Sequence, residues 1–215
     1  MCAHGVRRRD APREPSRLLE GGVRVDLLIV YGTASPPGRL LGAHRSLAES
    51  VNRADQRRAS VLDLSEQSLE ACDGRDSDQY DKSTVAAIEC TVSADLVVLG
   101  SPVYRASYTG ALKNYLDLLP LEALRGKPVG VVAMGGTDHH YLGVDSQLRM
   151  VLAWFGALVA PTGVYLTVNS FDSSGAVGER ALRELAELAN LLTALANVPA
   201  DSGPAPLAAA MIAPK

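Results

Sequence analysis

The chain has 215 residues, 47% of them hydrophobic and 21% charged, a balance that suits one domain with a sizeable core and excludes a disordered chain. A formal charge of −3 gives no long-range attraction to nucleic acid or an anionic membrane. Cys2, Cys72 and Cys90 are too few and too scattered for a disulfide framework or a zinc site, and suit a reducing cytoplasm.

Residues 1–22 are polar, hold Pro12, Pro15 and the Gly21-Gly22 pair, and show no apolar period; they read as a disordered leader, with no apolar segment behind Arg7, Arg8 and Arg9 to make a secretory signal. One domain is expected over 23–198, and a loose Ala/Pro/Ser/Gly tail over 199–215. No apolar run approaches the length of a membrane span. VDLLIVY, residues 25–31, is a continuous apolar run ended by Gly32 and suits a central strand buried on both faces. Leu41, His44, Leu47 and Val51 then share a helical face, and a second strand falls at 59–64. Val85, Ile88 and Val92 mark a second helix, followed by a strand at 95–99. Leu112, Tyr115, Leu116 and Leu119 mark a third helix, which Pro120 stops, and VGVVAM at 129–134 is a fourth strand. Val144, Leu148, Val151, Leu152 and Phe155 form a strong stripe on a fourth helix. A fifth strand is expected near 163–168, and Leu182, Leu185, Leu188, Leu192 and Leu195 mark the last helix.

Strands that alternate with helices pair in parallel through right-handed crossovers. The fold expected is α/β, a flavodoxin-like three-layer sandwich whose five-stranded parallel sheet has order 2-1-3-4-5, with helices on both faces. In such a sheet ligands bind beyond the carboxyl ends of the strands, where the strand order reverses. That rule selects three loops.

The first loop, YGTASPPGRLLG, offers the hydroxyls of Thr33 and Ser35, the cation of Arg39 and the amides of a helix N-terminus. Those groups suit a phosphate monoester, or else make a Pro-rich turn capped by Ser35. The segment matches neither the dinucleotide-binding nor the Walker glycine pattern. The second loop, SPVYRASYTG, turns at Pro102, which drives Ser101 toward extended geometry and should splay the chain so that the next amides face outward. Tyr104 then offers a ring or a hydroxyl and Arg105 a planar cation, either to a flat ligand or simply to cover the sheet edge. The third loop, MGGTDHHYLG, brings Gly135 and Gly136, which permit close approach of backbone to a ring. His139 and His140 are adjacent and lack an acidic ligand at helical spacing, so no metal site is expected.

SPVYRASYTGALKNYLDLLP, LRGKPVGVVAMGGTDHH and VDSQLRMVLAWFGA, in that order, resemble the NADPH-dependent FMN reductase family. The likeness is greatest to the branch that supplies reduced flavin to two-component monooxygenases such as the alkanesulfonate system. It implies bound FMN, NADPH or NADH as donor, a flavin-dependent monooxygenase as partner, and a homodimer or homotetramer. It also assigns Ser101, Pro102, Val103, Tyr104 and Arg105 to the underside of the flavin ring, Gly135 and Gly136 to its other flank, and the phosphate to Thr33, Ser35 and Arg39. The hydride passes from nicotinamide to flavin, so no residue is expected to act as general acid or nucleophile.

Two features depart from the family pattern. Leu40 stands where a hydroxyl is expected in the phosphate loop, and Ser146 follows Asp145 where sulfonate-linked relatives often carry Tyr. The first weakens the phosphate cradle. The second leaves self-association to the stripe that starts at Val144, unless that stripe is buried against the sheet. The alternatives that stay open are a quinone or azo reductase that retains its FMN, and a flavodoxin-type electron carrier.

Overall fold

The computed structural model describes residues 25–53, 57–200 and 202; the predicted leader and most of the predicted tail lie outside them. The first strand, β1 (Val25–Tyr31), is buried at every position but Asp26, as a continuous apolar run demands. It pairs in parallel with β2 (Arg57–Asp63) on one side and β3 (Leu96–Pro102) on the other. Next to β3 lies β4 (Pro128–Met134). The order is β2-β1-β3-β4-β5, so the strand order reverses between β1 and β3.

The fifth position is broken. Two short strands, β5 (Leu158–Val159) and β6 (Val164–Leu166), both pair with β4. Between them residues 160–163 face only Gly130 and Val131 of β4. Pro161 cannot donate to a ladder, which forces the interruption. The carbonyls of Ala160 and Pro161 are instead taken by the Arg149 guanidinium, at 2.9 and 3.0 Å, and Arg149 is itself held by Asp145 at 2.7 Å.

Helices cover both faces. The helices α2 (Lys82–Ser93), α3 (Gly110–Leu118) and α4 (Tyr141–Phe155) pack on one side. On the other lie α1 (Arg39–Asn52) and α5 (Glu179–Leu195). Each fully buried Leu on these faces contributes roughly 1.5–3 kcal/mol, and Leu41, Leu47, Leu112, Leu116, Leu148 and Leu152 are all in that class. The α4 stripe is part of this core: Val144, Leu148, Leu152 and Phe155 are buried and Val151 half-buried. It packs against the sheet and has nothing left for a second chain. The exposed row of α4 is a different one, with Leu142, Met150 and Trp154 spaced along it and Tyr141 beside it.

Two apolar markers turn outward. Val92 of α2 is exposed, and Ala87 and Thr91 line the buried face in its place. Leu182 of α5 is exposed, with Ala181 and Ala189 buried beside Leu185 and Leu188. Small residues let these helices sit close to the sheet. Among the described residues, no helix is long and apolar enough to cross a membrane.

Candidate functional site

The three loops chosen by the switch-point rule meet at the carboxyl end of the sheet, and hydrogen bonds join the first two. Thr109, the N-cap of α3, accepts from the Leu112 amide at 3.1 Å and donates to the carbonyl of Gly32 at 2.5 Å. Its own amide donates to the Ser101 hydroxyl at 3.1 Å. One threonine thus starts a helix and fixes both loops to it. Ser101 is fully buried, so its side chain belongs to this bracing. Thr109 was not selected from the sequence, although Thr-Gly before an apolar period is an N-cap signal.

In the first loop Thr33 is buried and its Oγ1 accepts from the Ser35 amide at 3.1 Å. The chain then passes Pro36 and Pro37 into α1, whose N-cap Gly38 makes no side-chain cap bond. The first-turn amides of a 14-residue helix therefore face the loop uncapped, with no acidic side chain among them. Such an end attracts an anion through its N–H groups and its dipole. Arg39 stands at this turn, its guanidinium 5.8 Å from the Phe171 ring centroid in the loop before α5. The donor set fits a phosphate monoester: free amides, two hydroxyls and one cation.

The second loop is a tight hairpin. The Tyr104 amide donates to the Ser107 carbonyl at 2.8 Å, and the Ser107 amide returns the bond at 3.0 Å. Between them Arg105 and Ala106 have φ of 52° and 63°, as in a type I′ turn, where Asn-Gly is the favoured pair. Left-handed backbone costs an ordinary residue about 1–2 kcal/mol, and such strain concentrates at ligand clamps. The expected outward splay of the amides is not found. The Val103 amide is bonded to the Met134 carbonyl at 2.8 Å, which ties the corner to the end of β4, and that of Tyr104 is used inside the hairpin. Pro102 and Val103 are half-buried, whereas Tyr104 and Arg105 are exposed. The Tyr104 hydroxyl lies 2.7 Å from the Ser35 hydroxyl, so the hairpin and the first loop touch.

The third loop begins at Gly135, which is buried, with its amide donating to the Leu166 carbonyl at 3.0 Å. A Cβ there would lie 1.9 Å from the Tyr165 hydroxyl. The ring that Gly135 admits is therefore the chain's own. Tyr165 reaches across from β6 to donate to the Thr137 carbonyl at 2.6 Å. Burial and, to a smaller degree, Asp138 push the Tyr165 phenol above its ordinary pKa, so it stays a donor. Gly136 is exposed, with open space where a Cβ would be. His139 and His140 are exposed in a single 3-10 turn, Asp138–His140. Among the described residues, no group of three or more His, Cys, Asp or Glu side chains could hold a metal ion.

Comparison with known proteins agrees with this geometry. The family model for NADPH-dependent FMN reductase matches residues 25–172, which span all three loops. The chain is 37% identical over 164 residues to an NAD(P)H-dependent FAD/FMN reductase of Geobacillus thermodenitrificans, covering 76% of this chain and 89% of that one. It is 32% identical over 183 residues to the NADH-dependent FMN reductase SfnF of Pseudomonas putida, covering 83% and 96%. Among solved structures, the apo form of the NADH:FMN oxidoreductase EMOB superposes with a TM-score of 0.64 at 26% identity, covering 79% of this chain and 89% of that one. A parallel sheet with a phosphate-type loop and a strained hairpin at its switch point is thus joined to a match over most of the domain: the chain belongs to the NADPH-dependent FMN reductase family.

Proposed function

We propose that this protein is an NAD(P)H:FMN oxidoreductase that supplies reduced flavin to a partner monooxygenase. Bound at this end of the sheet, FMN would supply the acceptor for a hydride from the nicotinamide. The protein's part is to bind, orient and exclude water. The amides of the first turn of α1, the hydroxyls of Thr33 and Ser35 and the Arg39 guanidinium would hold the phosphate. Pro102, Val103 and Tyr104 would line one side of the ring, with the Arg105 cation to favour negative charge on it, and Gly136, which carries no side chain, would leave room on the other. Stacking two rings at reacting distance removes the entropic part of the barrier.

The observation that carries this reading is the uncapped N-terminus of α1 beside the Tyr104–Ser107 hairpin, at one end of one sheet. Release of the flavin to a partner is favoured by the phosphate loop, where Pro36 and Pro37 offer no amide and Leu40 no hydroxyl. The exposed row of Leu142, Met150 and Trp154 suits self-association as a dimer or tetramer. A cytoplasmic setting supplies the reduced nicotinamide. Dialysis and steady-state kinetics test the reading together. A colourless protein after dialysis, with a ternary-complex pattern toward free FMN, is expected. A protein that stays yellow, with ping-pong kinetics, would make it a reductase that retains its flavin.

A further inference from the structure

We infer that Gln147 of α4 is a positioning residue for flavin, holding the Tyr104–Ser107 hairpin in its strained shape against the gap left by Gly143. The inference rests on the FMN-binding reading above.

The turn cannot owe its shape to its own sequence. Arg105 and Ala106 both have positive φ, and neither is the Asn or Gly that a type I′ turn selects. The two backbone bonds between Tyr104 and Ser107 close the hairpin but do not fix its direction, since they would survive if it swung as a unit. The Tyr104 hydroxyl bond to Ser35 acts at the base. What reaches the tip comes from α4. The Gln147 Oε1 accepts from the Ser107 hydroxyl at 2.8 Å, and its Nε2 donates to the Ala106 carbonyl at 3.4 Å. One turn earlier on the same helical face, a Cβ at Gly143 would stand 2.9 Å from that same Ala106 oxygen. A primary amide that offers both a donor and an acceptor and a residue with no side chain thus form one cradle. The sequence signal is G-x-x-x-Q in GVDSQ, which an apolar-period reading of α4 passes over.

The consequence is that the third loop's helix shapes the second loop's ligand surface, at a distance from the flavin itself. Strain of this kind persists only where neighbours over-determine it. Loss of the Gln147 amide should let the turn relax away from left-handed geometry and misplace Arg105.

The experiment titrates the full-length protein with FMN, followed by flavin fluorescence, and measures the melting temperature in parallel. Gln147→Ala is expected to weaken FMN binding about tenfold, the size expected if one left-handed residue must be re-formed on binding, with the melting temperature lowered by no more than a few degrees. Ala106→Gly, which makes the left-handed position intrinsically favourable, should restore most of that affinity in the Gln147→Ala background. Gly143→Ala should weaken binding as Gln147→Ala does. Unaltered FMN affinity in Gln147→Ala would overturn the proposal. So would a loss that Ala106→Gly does not repair, because Gln147 would then act by some route other than the turn. If the unmodified protein binds no FMN, the proposed function itself fails, and that result is separate from either.

Discussion

His44 is a base with no place for a proton. It is wholly buried, its ring meets Tyr31 edge-on at a centroid distance of 5.9 Å, and neither nitrogen has a hydrogen-bond partner among the described residues. Burial pushes its pKa from 6.5 down to about 3. The unfolded chain takes up a proton below pH 6.5 that the folded chain refuses until about pH 3. The contribution of His44 to stability is therefore intact above pH 6.5 and is lost as the pH falls, by about 1.4 kcal/mol per pH unit. Urea unfolding at pH 7 and pH 5 should show a loss of about 2 kcal/mol from this group alone. His44→Leu should lack that part of the loss; an unchanged pH dependence in the variant would show that His44 is not buried neutral. Arg105 is the opposite case, exposed and at the tip of a turn. Arg105→Ala should weaken FMN binding or slow flavin reduction while stability moves by no more than about 0.5 kcal/mol. Equal FMN titrations and equal rates would remove Arg105 from the site.

At the scale of elements, the pair Gly135 and Tyr165 fixes how β4 enters the third loop. Gly135→Ala places a methyl group against the Tyr165 hydroxyl, and overpacking of this kind costs about 1–3 kcal/mol. Gly136→Ala meets nothing and should leave stability nearly unaltered. Tyr165→Phe should lose about 1 kcal/mol with the bond to Thr137 and should relieve part of the Gly135→Ala defect. Thermal unfolding of the four proteins checks the set, and equal destabilisation by both Gly→Ala changes would contradict it. The two glycines are adjacent and identical in sequence, so nothing local could tell them apart; the difference comes from a tyrosine 30 and 29 positions away. The same limit explains the other differences. The α1 face of Leu41, His44, Leu47 and Val51 was legible from its period. On α4 the period marked a buried stripe but could not say whether sheet or second chain buries it. The break between β5 and β6 was written in Pro161, but the Arg149 side chain that completes it lies on another element. The hairpin's inward amides were missed because Pro102 predicts a bend, and not the partner, Met134, that the bend brings near.

Over the whole molecule, the alternation of apolar runs indicated a parallel α/β sheet, and the flavodoxin-like order expected for such a sheet, which the structure has, placed the switch point and its three loops. The wiring among those loops, through Thr109, Tyr165 and Gln147, depends on contacts far apart in the chain. The proposed self-association would use the exposed row of α4. The exposed Met150 and Trp154 lie on α4, away from the sheet. Met150→Asp should shift the protein toward monomer in sedimentation velocity while moving its melting transition by no more than about a degree or two; an unshifted distribution would place the contact elsewhere. Reduction of FMN by a nicotinamide nucleotide is measured in the absence of oxygen. Purified protein, FMN and NADPH or NADH are mixed, and the nicotinamide and flavin absorbance bands are followed together. Both bands should bleach in step, and only when protein and FMN are both present. Binding of FMN with no nicotinamide oxidation by either nucleotide would contradict it and leave an electron carrier.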